Sequence, residues 1–187
     1  MKKDIARALE ILKSGGTILF PTDTVWGIGC DSTNPLAVEK VYRIKMRTDN
    51  KSMLVLLDDP ARIPSYVSEV PEIAWQLIDV SDKPLTLIYH RAKNLAANLI
   101  NQDGSIGIRI TAESFSRELV RRFRKPVVAT SANTGGESYP RFFSEISDNI
   151  RYSVDYVVKY RQKESIPAKP SAIIRVGEGG LVEIIRK

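Results

Sequence analysis

The sequence predicts a single α/β domain, a twisted mixed sheet flanked by helices, and three observations carry that prediction. At 187 residues, the chain fits one domain of roughly 150 residues and can bury about 70% of its unfolded surface without a staple. Short apolar runs of strand length alternate along the chain with segments of helical periodicity. The last two strand-like runs, 172–176 and 181–185, are joined by Gly177-Glu178-Gly179-Gly180, a hairpin signal that demands antiparallel pairing within the sheet.

Residues 1–14 place Ile5, Leu9 and Leu12 at helical spacing, with Asp4 and Glu10 among the lysines. This is an amphipathic helix and not a signal peptide. It stops at Gly15-Gly16, and 17–20 reads as a buried strand. Asn34-Pro35 starts a second helix, Asn as cap and Pro at the first helical position, running through Val38, Val41 and Ile44. Residues 53–57 form a strand, and Asp59-Pro60 and Pro71-Glu72 each begin a further helix. Strands follow at 85–89 and 105–110, a helix at 113–123, a strand at 126–130, a helix at 143–150 and a strand at 154–158, before the closing hairpin. No repeat, low-complexity tract or linker interrupts residues 1–187, so one domain is expected.

Composition narrows the chemistry. The chain is 43% hydrophobic and 27% charged, with 28 Lys and Arg against 22 Asp and Glu, a net charge of +6. That balance favours anionic partners such as nucleotides, phosphates or RNA. One cysteine, Cys30, and one histidine, His90, exclude a disulfide framework within the chain and the usual Cys/His zinc cage. His90 ends an apolar run and reads as a strand-end surface residue, so the chemistry is not expected to run through imidazole. The longest apolar runs, of about five residues, fall far short of the ~20 that span a bilayer. A cytoplasmic protein is expected, with no membrane partner.

Two polar clusters follow apolar strands: Pro21-Thr22-Asp23-Thr24-Val25-Trp26-Gly27, and Thr130-Ser131-Ala132-Asn133-Thr134-Gly135-Gly136. In open α/β sheets ligands bind in the crevice beyond strand ends. A lone cluster reads equally well as an ordinary turn; two, both rich in hydroxyls and glycines, point to a site. A third cluster, 45–52, begins Lys45-Met46-Arg47. If the preceding helix ends near Ile44, Lys45 and Arg47 project together as a pair suited to a polyanion; otherwise they are a solvated helix terminus. Arg109 lies within a strand, an expensive place for a charge unless it faces a cleft. The basic run 117–125 reads as the wet face of a helix. No Walker loop is present, and Gly27-Ile28-Gly29 fails as a dinucleotide fingerprint because Ser32 replaces its third glycine.

These segments, together with Lys51, Thr86-Leu87, Gly107-Ile108-Arg109 and Ser171-Ala172-Ile173-Ile174, resemble in order and spacing the YrdC/TsaC-like family of threonylcarbamoyl-AMP synthases, in its short single-domain form. The resemblance implies a YrdC-like fold with a basic concave cleft. It implies a reaction that joins L-threonine, bicarbonate and ATP, with Mg²⁺, into threonylcarbamoyl-AMP and pyrophosphate. Transfer proteins then carry the group to tRNA. By the same resemblance, Thr24, Arg109, the backbone at Ala129 and Ser171 hold threonine. Arg47, Lys51, Ser105, Ser131, Arg186 and the backbone near Tyr139 hold ATP. Lys45, Arg47, Ser131 and Asn133 form the catalytic wall. The sequence departs from the family pattern at Trp26, where a tyrosine is usual, at 80–84, at Thr111, and in lacking the usual C-terminal glycine after Arg186. Adenylate formation needs no enzyme nucleophile, only positioning and charge neutralisation. Two other readings stand beside this one. One is a non-catalytic factor binding tRNA or double-stranded RNA; the other is a Ser-Lys hydrolase using Ser131 and Lys45, which no nucleophile motif around Ser131 supports.

Overall fold

Helix α1 (Lys2–Lys13) buries Ile5, Ala8 and Leu12 along one stripe and stops at Gly15, whose φ of +75° is open to glycine at little cost. The computed structural model, which describes residues 1–46 and 53–187, continues into β1 (Ile18–Phe20) and β2 (Gly27–Gly29). Helix α2 (Pro35–Ile44) begins as the sequence predicts: Asn34 accepts from the Leu36 and Ala37 amides, and Pro35 occupies the first turn. Next come β3 (Leu54–Leu57), a 3₁₀ turn at Pro60–Ser65, α3 (Glu72–Val80), β4 (Leu85–Tyr89) and β5 (Ile106–Ile110). Helix α4 (Ser114–Phe123) is capped by the Glu113 carboxylate, which accepts from the Phe115 and Ser116 amides. The remainder is β6 (Val127–Ser131), α5 (Asp148–Ser153), β7 (Tyr156–Val157), β8 (Ala172–Val176) and β9 (Val182–Arg186).

The strands form one mixed sheet in the order β7-β1-β2-β6-β3-β5-β4-β8-β9. The β1/β7, β3/β5 and β4/β8 pairs are parallel, and the others, including the predicted β8/β9 hairpin, are antiparallel. Helices α1 and α4 pack against each other, and Phe115, Leu119, Val120 and Phe123 of α4 are buried on its inner face. No helix among the described residues is long and apolar enough to cross a membrane.

Three expectations change. Strand β2 lies where the sequence reads only a polar cluster, because a three-residue Gly-Ile-Gly strand carries almost no side-chain signal. Its Gly29 is demanded by close approach: a Cβ there would lie 2.6 Å from both the Phe20 ring and the Val128 carbonyl. The helix expected at 143–150 is broken. A 3₁₀ turn covers Phe143–Glu145 and α5 starts afresh at Asp148, because Ser147 adopts extended backbone and its hydroxyl caps the Ile150 amide. The start at Asp59-Pro60 yields only a 3₁₀ turn, since Pro64 cannot supply the amide that an α-helix needs.

Lys45, the residue after α2, is fully buried. Its stem runs through the core and its ammonium donates to the Ser131 carbonyl, to the Asn133 carbonyl at 2.7 Å and to Asn133 Oδ1 at 3.3 Å. Gly135 N returns a bond to the Lys45 carbonyl at 2.9 Å. One lysine thereby ties α2 to the loop that follows β6.

Two substitutions probe this packing. Gly29→Ala is expected to cost about 1–3 kcal/mol by overpacking, read from urea unfolding. Lys45→Met keeps the stem but strands the part-buried carbonyls, costing about 2–3 kcal/mol. For a chain this size that lowers Tm by roughly 4–12 °C, read by calorimetry.

Candidate functional site

The sheet register brings the predicted residues together. Arg109 of β5 is paired with Thr86 of β4, Thr86 with Ile173 of β8, and Ile173 with Arg186 of β9. Directly paired residues project from the same face, so this row crosses four strands on one side of the sheet. On the other side of β5, Leu54 of β3 pairs with Ala129 of β6, and Ser131 pairs with Gly27 of β2. These rows and the 21–26 loop enclose a cavity of about 200 Å³ lined by Thr24, Arg109, Ala129, Ser131, Tyr139, Ser171 and Arg186, among others. It adjoins a larger groove of about 780 Å³, with Thr22, Thr24 and Pro170 lining both. The groove carries Lys83, Arg141, Arg161, Lys163, Lys169 and Lys187 against Asp23 and Glu164.

Arg109 is the buried centre of the inner pocket, 3% exposed. Its Nη2 forms an ion pair with Asp23 Oδ1 at 3.1 Å, outside hydrogen-bond geometry, and lies 3.4 Å from Thr22 Oγ1. Its Nε is buried without a partner among the described residues. Burial pushes the Asp23 carboxyl up and the Arg109 guanidinium down, each away from its charged form, and their mutual attraction opposes both shifts. The Thr22 hydroxyl is a hub: it accepts from Thr24 N at 3.0 Å, donates to the Val25 carbonyl at 2.8 Å and meets Thr24 Oγ1 at 3.0 Å. The β1–β2 loop therefore folds around Thr22, with Thr24 presented to the pocket.

At the opposite wall, the Ser171 hydroxyl pairs with Thr86 Oγ1 at 2.9 Å, and Arg186 Nε donates to the Ser171 carbonyl at 2.9 Å. That contact orients the Arg186 guanidinium along the pocket wall. Burial pulls Arg186 below its ordinary range, partly offset by Tyr139. Tyr139 also lines the pocket and is 41% exposed.

Three of the expected site residues occupy other places. Lys45 and Asn133 do not line the inner pocket; Lys45 holds the loop after β6 from behind. The Asn133 amide is spent within that loop, donating to the Glu137 carbonyl at 2.6 Å and the Thr134 carbonyl at 3.2 Å. The extended segment that would let Lys45 project with Arg47 does not begin at Lys45, which keeps αR backbone. Ser105 stands at the far end of β5 from Arg109, about 13 Å along a strand. Its hydroxyl donates to Asp103 at 2.6 Å and accepts from Asn101 at 3.0 Å, stitching a turn. Arg47 and Lys51 lie outside the described residues.

Sequence reading passed over Thr22, Asp23 and Arg161. The signal for Asp23 was present: a strand arginine requires a counter-charge, and Asp23 is the only acid in the polar cluster after β1. His90 is exposed, as expected.

Comparison with known proteins supplies the family. The Sua5/YciO/YrdC family, described as "Telomere recombination", matches residues 10–187. Threonylcarbamoyl-AMP synthase of Pseudoalteromonas translucida is 34% identical over 158 residues, 81% of this chain and 84% of that protein. The putative threonylcarbamoyl-AMP synthase of Methanocaldococcus jannaschii is 33% identical over 183 residues, 95% of this chain and 84% of that protein. The crystal structure of E. coli YciO shares the fold at a TM-score of 0.86 and 23% identity, covering 100% of this chain and 90% of that one. P. abyssi Sua5 complexed with L-threonine does so at 0.83 and 18% identity, covering 95% of this chain and 52% of that one. With the matched region taking in every strand and the whole pocket, this chain belongs to the Sua5/YciO/YrdC family.

Proposed function

We propose that this protein is a threonylcarbamoyl-AMP synthase, joining L-threonine, bicarbonate and ATP and releasing pyrophosphate. The observation that carries this reading is the convergence of Thr24, Arg109, Ser131, Ser171 and Arg186, from five separate segments, on one pocket in a chain whose relatives bear that name. The pocket, about 200 Å³, exceeds the ~150 Å³ that takes a benzene ring, which suits a small amino acid. The adjoining groove, about 780 Å³ and carrying Lys83, Lys163, Lys169 and Lys187, has room and charge for the phosphates of a nucleotide whose other contacts, Ser131, Tyr139 and Arg186, stand on the inner pocket.

In this assignment Arg109 receives the threonine carboxylate with the N–H donors that Asp23 leaves free. Thr24, the Ala129 backbone and Ser171 surround the side chain. Ser131, Arg186 and the backbone near Tyr139 meet ATP, and Arg47 and Lys51 join them by family resemblance. Lys45 and Asn133 act one layer back, fixing the loop that carries Ser131. The amine nitrogen bonds to the bicarbonate carbon with loss of water. The resulting carboxylate oxygen then bonds to the α-phosphorus, and the bond to pyrophosphate breaks. Neither step needs an enzyme nucleophile; the chain contributes proximity and fixed positive charge.

Among the described residues no three His, Cys, Asp or Glu side chains gather to hold a metal. Mg²⁺ would arrive as the counterion of ATP, part of the substrate. Delivery of the product to tRNA through transfer proteins in the cytoplasm completes the proposal. The reading as a non-catalytic binder of double-stranded RNA is less favoured, because several cations of the basic run are already engaged: Arg121 and Arg122 pair with Glu118, and Lys125 pairs with Asp31.

Pyrophosphate release from ATP is expected to require threonine and bicarbonate together, measured by a coupled assay with each omitted in turn. Release with neither present would identify a plain nucleotidase. Arg109→Ala is expected to lower kcat/KM for threonine about 10- to 100-fold, the loss of one charge-assisted contact. Kinetics equal to the parent protein would reject that assignment.

A further inference from the structure

The two walls of the groove come from opposite ends of the sheet. One is the loop between β1 and β2; the other, residues 163–170, leads into β8, with β6, β3, β5 and β4 lying between β2 and β8 in the sheet order. The segment from β7 to β8 therefore runs as a strap from one end of the sheet to the other. Arg161 stands at its beginning, in left-handed backbone with φ of +67°. A non-glycine residue holds that conformation at a cost of about 1–3 kcal/mol, and only where its surroundings over-determine it.

The surroundings are unusually specific. Arg161 Nη1 donates to the Thr22 carbonyl at 3.0 Å and faces Glu113 Oε1 at 3.3 Å. Nε and Nη2 form a bidentate pair with the two Glu164 oxygens, at 2.5 and 2.7 Å. Glu113 is buried to 8% exposure and caps α4, while Glu164 belongs to the strap and lines the groove. One guanidinium thus joins the strap, the α4 cap and the backbone of the very residue whose hydroxyl organises the loop beside Arg109. A partner for Glu164 alone would need neither the Thr22 carbonyl nor the strained backbone.

We propose that Arg161 is a positioning residue: it latches the strap to the Thr22–Trp26 loop and so fixes the wall of the inner pocket that Thr24 presents to substrate. This rests on the reading of the inner pocket as the threonine site. Arg161 touches no reacting atom; it acts through Thr22.

The discriminating variant is Arg161→Gly. Glycine accepts φ of +67° without strain, so the backbone is kept while the guanidinium is lost. The expected result is a rise of about tenfold in KM for threonine, with kcat and KM for ATP changed by about twofold or less, the pattern of one lost charge-assisted hydrogen bond at a binding wall. Cleavage at Glu164 by a glutamate-specific protease, mapped by mass spectrometry, should also accelerate. Arg161→Gln, which keeps the strained backbone, should show the same KM shift. An unchanged KM for threonine in Arg161→Gly overturns the latch, as does a loss shared equally between threonine and ATP. If the parent protein shows no threonine-dependent turnover, the reading of the pocket fails instead. The protease then judges the latch alone, and unaltered cleavage at Glu164 overturns it.

Discussion

A guanidinium buried in a central strand is the constraint around which this structure is arranged. Arg109 is almost inaccessible on β5, and an unpaired ion in such a place costs several kcal/mol. The compensation comes from the chain more than 80 residues earlier, through Asp23 and Thr22. Once those two must reach Arg109, the loop after β1 has little freedom. Thr22 turns its hydroxyl inward to hold Thr24 and Val25, Asp23 faces the arginine, and Thr24 is left at the pocket. Opposing influences on Asp23 and Arg109 (burial against mutual attraction) keep a charged receptor in a poorly hydrated place, where an arriving carboxylate is felt strongly.

The sheet acts as a ruler for everything else. Mixed pairing sets Arg109, Thr86, Ile173 and Arg186 in one row across four strands, so residues from the middle and the end of the chain share a face. Polar side chains next to the pocket are then divided between two tasks. Some line it; others, such as Lys45 and Asn133, are consumed in holding the loop after β6. Chemistry that proceeds by bringing reactants together gains from this second group as much as from the first, because a positioned hydroxyl such as that of Ser131 is only as well placed as the backbone beneath it.

Legibility in the sequence follows from how local each determinant is. Helix α2 is readable because Asn34 and Pro35 act within one turn, and α4 because its apolar positions repeat at helical spacing above a capping glutamate. Strands β4 and β8 are readable as apolar runs of strand length. Strand β2 is not, since its Gly29 answers to the Phe20 ring and the Val128 carbonyl, which are distant in sequence or hidden until the sheet forms. The break near Ser147 turns on the backbone choice of one residue, for which periodicity carries no information. Among the site residues, Ser105 has the residue type of a phosphate ligand but is committed locally to Asp103 and Asn101. That commitment is local; what the sequence does not show is that Ser105 precedes β5 at the end away from Arg109.

By itself the sequence determined the α/β class, most element positions, the exclusion of a disulfide or zinc framework within the chain, and the set of short polar motifs that belong together. All of these depend on composition, on periodicity or on neighbours within a few residues. Only the tertiary structure decided which motif residues face the cavity and which brace it from behind. It alone paired Arg109 with Asp23, and it alone carried the guanidinium of Arg161 across to the Thr22 carbonyl. The reason is physical: those outcomes depend on strand order and register, and on the need of each buried charge for a partner supplied from elsewhere in the chain.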